Sequence, residues 1–169
     1  MKAEKNKNET NNENRHEEHR LFPMFVDITN KNVIVVGGGL IASRRIKTLL
    51  QFGCNIKVIS DSLHPDLCAI KASVEWLNRQ YEPGDTENTD IVIAATNDRK
   101  VNAAVTEECR KNGVTVNVVD CKEDCDFCFP AVVIAGDIVA GLGSSGKNPA
   151  LTKDAAAKVQ DALAQEGSL

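Results

Sequence analysis

The run Val33-Ile34-Val35-Val36-Gly37-Gly38-Gly39-Leu40-Ile41-Ala42 constrains this chain more than any other feature. Four consecutive β-branched residues suit a buried strand and crowd a helix. The glycines allow a sharp turn. Apolar residues then recur at Ile41, Ile46, Leu49 and Leu50, which predicts a helix over Leu40–Phe52, with Gly53 placed to cap its end. Ile56-Lys57-Val58-Ile59 reads as a second strand, so the segment forms one β-α-β unit of about 30 residues.

The glycines fit G-x-G-x-x-A, and they stand where a phosphate-binding turn must stand, after a strand and opening a helix. Gly37 permits the turn, Gly39 lets a pyrophosphate approach the backbone, and Ala42 lets the helix pack against the strand. The free N–H groups and partial positive charge at the helix start favour phosphate. Asp61 follows Gly37 by 24 residues, just past the second strand, where a carboxylate accepts hydrogen bonds from ribose hydroxyls. No Lys or Arg lies between Ser60 and Ile70 to receive a 2′-phosphate, which favours NAD over NADP.

Strands alternate with helices further along. Val74–Leu77, Ile91–Ala95 and Val114–Val119 read as strands. Asp98–Asn112 reads as a helix that Asp98 can cap and Gly113 ends. This pattern predicts an α/β fold, a Rossmann-like parallel sheet with helices on both faces. Ala94-Ala95-Thr96-Asn97 is placed to form a second cofactor wall through Thr96 and Asn97. It reads equally as an ordinary strand end with Asn97 or Asp98 as helix cap. Pro130–Ala135 and Ile138–Leu142, joined by Gly136-Asp137, predict a hairpin, and an Ala-rich helix follows over about Pro149–Gln165. The expected organisation is a disordered tail over 1–20, a dinucleotide-binding domain over 21–128, and a hairpin with a C-terminal helical segment over 129–169.

Composition narrows the function. Asp plus Glu exceed Lys plus Arg, 24 to 20, for a net charge of −4. That opposes a general nucleic-acid binder, whose affinity comes from neutralising phosphates. Aromatic residues make up only 4%, too few for base-stacking platforms. Residues 1–20 hold five basic and five acidic residues and almost no apolar ones, which predicts a solvated tail with neither a signal sequence nor a membrane span. The pair His16 and His19 is read as part of that tail. Six Cys in a cytoplasmic protein are expected as thiols.

Several motifs occur together and in order: Phe22-Pro23-Met24-Phe25, Val35-Val36-Gly37-Gly38-Gly39, Ala95-Thr96-Asn97-Asp98, Asn117-Val118-Val119-Asp120, Cys125-Asp126-Phe127-Cys128-Phe129-Pro130-Ala131, and Ser144-Ser145-Gly146-Lys147-Asn148-Pro149-Ala150-Leu151. Over about 21–153 the chain resembles the precorrin-2 dehydrogenase family, the NAD-binding module of siroheme synthase. The resemblance implies NAD-dependent oxidation of precorrin-2 to sirohydrochlorin. In some members it also implies insertion of ferrous iron, which is then a substrate. It further implies a homodimer joined through the segment after the fifth strand. By position, Leu40 and Ile41 would contact NAD through their backbones, and Asp61 with Ser62 would form the second NAD contact. Asp120 matches the aspartate implicated in the chemistry, and Ser144 matches a serine near the tetrapyrrole pocket.

Asp120, at the strand end beside the cofactor, could act as general base; the same position also suits a turn residue capping the next loop. The substrate is a polycarboxylate, so cations should meet it; Arg44 and Lys147 are candidates among Arg45, Arg99, Lys100 and Lys153. Ile41 replaces a commoner valine, and Gly143 stands where serine is frequent. Longer members continue into a helical domain of which this chain holds the first helix. Cys121, Cys125 and Cys128 form C-x3-C-x2-C, a spacing shared with iron–sulfur enzymes that need a much larger barrel. No metal site is expected. The alternative class is a dinucleotide-sensing regulatory domain of a transport system, which would share the glycine turn and Asp61 but not the motifs from Asp120 onward.

Overall fold

The computed structural model describes residues 21–144 and 148–166. The tail expected over 1–20 and Lys147 lie outside the described residues. Five strands form one parallel sheet: β1 (Asn32–Val36), β2 (Asn55–Ile59), β3 (Glu75–Leu77), β4 (Ile91–Ala94) and β5 (Thr115–Val118), in the order β3-β2-β1-β4-β5. Helices α1 (Leu40–Leu49), α2 (Pro65–Cys68) and α3 (Arg99–Asn112) connect them, and β6 (Ala131–Ala135), β7 (Ile138–Leu142) and α4 (Pro149–Glu166) follow. The α/β reading holds, and the predicted elements fall within a residue or two of the observed ones. The predicted first helix ends at Leu49 and tightens into a 3₁₀ turn over Leu50–Phe52, closed by Gly53 in the left-handed region (φ 68°).

The sheet carries apolar residues on both faces because both are covered. Alternate strand residues Val33, Val35, Ile56, Val58 and Ile93 pack with Ala42, Ile46 and Leu49 of α1 and Leu67 of α2. Their neighbours Ile34, Val36, Ile59, Val92, Val116 and Val118 pack with Val105 and Cys109 of α3 on the opposite face. β6 and β7 form a separate antiparallel pair, with Ala135 opposite Ile138 across the Gly136-Asp137 turn. Its buried apolar residue is Val133. Among the described residues, no helix is long and apolar enough to cross a membrane.

Two features of the fold were not foreseen. First, the motif after Asp120 covers the open edge of β5. The Asp126 amide donates to Val116 O (2.9 Å), and its carboxylate accepts from Val116 N (2.8 Å). The Cys125 thiol accepts from Val118 N (3.2 Å) and donates to Val118 O (3.1 Å). Burial pushes this thiol's pKa up, so it keeps the proton that it donates. A short stretch of chain thereby satisfies edge groups that would otherwise invite another strand.

Second, Glu108 of α3 docks the 81–86 loop. Its carboxylate accepts from Tyr81 Oη (2.6 Å), Gly84 N (2.9 Å), Thr86 N (2.9 Å) and Thr86 Oγ1. Thr86 is fully buried, so these bonds take the place of water. Burial opposes the charge on Glu108, but the Thr86 and Tyr81 hydroxyls and the Gly84 and Thr86 amides outweigh it and lower the pKa. Glu108→Ala should therefore cost about 2–3 kcal/mol in urea unfolding, because Thr86 is left buried without its partner. A carboxyl with a folded pKa below its unfolded one stabilises fully above the unfolded pKa and loses that stabilisation as pH falls through the folded pKa. The gap between wild type and Glu108→Gln should accordingly narrow as the medium is acidified below the ordinary glutamate range.

Candidate functional site

Sheet register gathers the predicted residues at one edge. Val36 pairs with Ile59 on one side and Ala94 on the other, and Ala94 pairs with Val118, so the last residues of β2, β1, β4 and β5 form one row. Two residues past that row stand Asp61, Gly38, Thr96 and Asp120. Asp61 and Asp120 are three strand intervals apart, about 14 Å at roughly 4.8 Å per interval. This is the carboxyl edge of the parallel sheet, at the switch between β1 and β4 where ligands bind in open α/β sheets.

The glycine turn lies at that switch. Gly37 has φ 113°, and a Cβ there would stand 2.4 Å from Ala95 O. A Cβ on Gly38 would stand 2.1 Å from Ser62 O, so this glycine keeps the loop after β2 against the turn; His64 N also donates to Gly38 O (2.7 Å). Gly39 differs: nothing lies within 4 Å of its Cβ position. It is the N-cap of α1, no side chain caps the helix, and no acid occupies the first turn. Leu40 and Ile41 are exposed. The first-turn amides thus open onto free space, as a pyrophosphate requires. The residues present fit a dinucleotide.

The flanking groups are fixed to different degrees. Asp61 is exposed, held loosely by Gln80 Nε2 and Ser62 Oγ at 3.4 Å each. Thr96 is bound on three sides by the fully buried Asn102 of α3. Asn102 Oδ1 accepts from Thr96 N (3.1 Å) and Thr96 Oγ1 (2.8 Å), and Asn102 Nδ2 donates to Thr96 O (3.1 Å). Asn97 is exposed, and Asp98, not Asn97, caps α3 by accepting from Lys100 N (2.8 Å). Sequence reasoning passed over Asn102. The signal was there: it falls on the buried stripe with Val105, Thr106 and Cys109, where an amide is a poor helix former and needs a reason.

Asp120 carries a partner, with Arg99 Nη1 3.6 Å from its Oδ1. Ser144 sits at the start of α4, where its hydroxyl accepts from Asn148 N (3.1 Å) and Thr152 Oγ1 (2.9 Å). The basic pair on α1 divides. Arg44 is exposed, on the flank where Lys47 binds Asp66 of α2 (2.9 Å), and Arg44 adds to the field that lowers the Asp66 pKa. Arg45 turns the other way, donates to Asn117 Oδ1 and stacks over Phe129 at 4.9 Å; Asn117 Nδ2 donates in turn to Phe127 O (2.7 Å). The six cysteines are free, and among the described residues no group of three or more His, Cys, Asp or Glu is arranged to hold a metal.

A glycine cradle at the switch point of a β3-β2-β1-β4-β5 sheet, with an acid past β2, defines a dinucleotide-binding module of the Rossmann kind. Residues 24–131 match the family described as "Putative NAD(P)-binding", and the chain belongs to that family. It is 40% identical over 145 residues to the "Probable multifunctional siroheme biosynthesis protein HemA" of Ruminiclostridium josui, covering 82% of this chain and 28% of that one. It is 38% identical over 144 residues to the siroheme synthase of Baumannia cicadellinicola subsp. Homalodisca coagulata, covering 84% and 31%. The chain thus spans under a third of the length of these curated relatives. Among solved structures, "SirC, precorrin-2 dehydrogenase" matches with a TM-score of 0.74 and 28% identity over 84% of this chain and 70% of that one. The family resemblance read from the motifs is borne out.

The three glycines should separate in experiment. Gly37→Ala and Gly38→Ala meet backbone carbonyls and should lower the melting temperature by several degrees, the effect of about 1–3 kcal/mol. A Cβ at Gly39 meets nothing in the protein, so Gly39→Val should melt close to wild type. It should nonetheless weaken NAD binding at least about 10-fold, or 1.4 kcal/mol, in equilibrium titration.

Proposed function

We propose that this chain is an NAD-dependent oxidoreductase that converts precorrin-2 to sirohydrochlorin in siroheme biosynthesis. The observation that carries the reading is the likeness to a precorrin-2 dehydrogenase over 84% of this chain, in a molecule with a dinucleotide cradle of its own.

The reaction removes a hydride and a proton from the reduced macrocycle. NAD, when bound, supplies the hydride acceptor. The chain does the rest. The amides of Leu40 and Ile41 would hold the pyrophosphate, with Gly37 and Gly39 leaving room for it, and Asp61 with Ser62 would receive the ribose. Thr96, clamped by Asn102, and Asn97 line the wall past β4. Asp120 takes the proton as general base, from the opposite end of the row to Asp61. The absence of Lys and Arg between Ser60 and Ile70 supports NAD over NADP. Ser144, Arg44 and Lys147 are the polar contacts proposed for the substrate's carboxylates. Six free thiols suit the reducing cytoplasm.

The proposed assembly is a homodimer joined through β6, β7 and α4. α4 covers part of the β6–β7 pair, yet Ile138 and Leu151 there are left 54% and 58% exposed, apolar surface that a second copy would remove from water. Ile138→Asp should shift the sedimentation coefficient from dimer to monomer; a wild-type chain that sediments as a monomer at every concentration would exclude this assembly.

The proposed chemistry is tested with precorrin-2 and NAD, following NADH absorbance. Wild type should produce NADH. Asp120→Asn should lose about 100-fold or more in kcat while binding NAD with unchanged affinity. Full turnover by the variant would remove Asp120 from the reaction, and no NADH from wild type would remove the activity.

A further inference from the structure

We propose that Arg99 is a positioning residue for Asp120, aimed by Asp124. The inference rests on the reading of Asp120 as proton acceptor and adds the device that fixes its carboxylate.

Arg99 is the first residue of α3. Arg99, Ala103, Thr106 and Arg110 recur at i, i+4, i+7 and i+11, so they share one face of the helix. The two central side chains are small. They leave a cleft of about 380 Å³ between the arginines, lined also by Glu107 and Asp124. Asp124, at the end of the 3₁₀ turn Lys122–Asp124 that follows Asp120, reaches into it. Its Oδ2 accepts from Arg99 Nη2, and its Oδ1 accepts from Arg110 Nη2 at 3.0 Å. The remaining terminal nitrogen of Arg99, Nη1, lies 3.6 Å from Asp120 Oδ1. Charges thus alternate along a chain of four side chains: Arg110, Asp124, Arg99, Asp120.

Geometry assigns the roles. A guanidinium is planar, so fixing one nitrogen on Asp124 fixes where the other points. Asp124 in turn is held at both oxygens. Arg99, with the Cys121 thiol and Arg110, keeps the Asp124 carboxyl ionised, with a pKa down at about 2. An isolated exposed ion pair contributes little, because water competes and both side chains must be ordered. Here the ordering of Arg99 comes from Asp124, and Asp120 meets a cation already in place. The same contact ties the loop carrying Asp120 to the helix that carries Asn102 and the Thr96 clamp. The proton acceptor and the cofactor wall are therefore referred to one rigid element, α3.

The test compares Arg99→Gln, Arg99→Lys, Asp124→Asn, the Arg99→Gln/Asp124→Asn double variant and Asp120→Asn. For each, kcat and KM with precorrin-2, NAD affinity by equilibrium titration and melting temperature are measured. Arg99→Gln should lower kcat about 10- to 100-fold, the scale of a catalytic group misplaced by an ångström. KM, NAD affinity and melting temperature should stay at wild-type values. Arg99→Lys, which keeps the charge and loses the fork, should fall between. Asp124→Asn should also lower kcat, and the double variant should be no slower than Arg99→Gln. Turnover within about twofold of wild type in Arg99→Gln, a loss confined to KM, or multiplied losses in the double variant would each overturn the proposal. If Asp120→Asn is inactive while Arg99→Gln turns over normally, the positioning role alone fails. If Asp120→Asn turns over, the reading of Asp120 fails.

Discussion

Two backbone carbonyls press on the glycine turn, and the rest of the site follows from that contact. Ala95 O stands 2.4 Å from where a Cβ of Gly37 would be, and Ser62 O 2.1 Å from where a Cβ of Gly38 would be. These carbonyls belong to the chain leaving β4 and to the loop leaving β2, the two strands that flank β1. A side chain on either glycine would wedge the loops apart. Without one, Gly37 N reaches Ile59 O (2.8 Å) and Ala95 N reaches Val36 O (2.8 Å), so ladder hydrogen bonding continues to the end of the row. The open ground in front of Gly39 exists because its two neighbours have none. Gly37 and Gly38 close the fold, and Gly39 leaves room for a ligand.

That division explains how one edge can carry both ends of a long cofactor and a reacting group. In a parallel sheet, strands that end in register deliver their next residues to a common line. The order β3-β2-β1-β4-β5 places Asp61, the glycine turn, the clamped Thr96 and Asp120, with their proposed roles, along it in sequence. Two helices serve three of the four, and Asp61 is held only by loop side chains. α1 offers its free amides, and α3 holds Thr96 from below through Asn102 and reaches Asp120 through Arg99. α3 is anchored at both ends of its length, by its Asp98 cap and by the Glu108 bonds to the 81–86 loop.

Much of this was legible in the sequence, for a physical reason. Buried parallel strands are apolar on both faces, and turns that need left-handed backbone favour glycine, so both leave marks within a few residues of themselves. The strand–glycine–helix unit, the five strands, the Asp98 and Gly113 caps and the two-residue hairpin turn were all readable on that basis. What was not readable depends on partners far along the chain. Arg44 and Arg45 look alike as a basic pair, yet successive residues of a helix point about 100° apart. One therefore faces Asp66, and the other faces Asn117, 72 residues away. Asn102 looks like a surface amide until its helix is placed under Thr96. The cysteines suggest a cluster by their spacing, and the fold gives Cys125 an entirely local task at the β5 edge.

The two edges of the sheet bear on how the protein would meet a second copy. β5 is closed by the hydrogen bonds of Cys125 and Asp126. β3, at the other edge, has three residues and carries Glu75 in an ion pair with Lys57 of β2 (3.5 Å). A short charged edge and a covered one are both poor templates for strand addition. Growth of the five-stranded sheet into a partner is thereby disfavoured on both sides. The covalent link from β5 to the two-stranded sheet runs through Phe127 and Phe129, which pack on the same core as α1. Arg45 holds that link by stacking on Phe129 and bonding Asn117, whose amide in turn bonds Phe127 O. In the proposed dimer, a contact made by β6, β7 and α4 would thus be transmitted through Arg45 to the helix whose amides face the cofactor. Arg45, which the sequence also offers as a cation for the substrate, stands at the joint between the hairpin segment and the glycine-turn module.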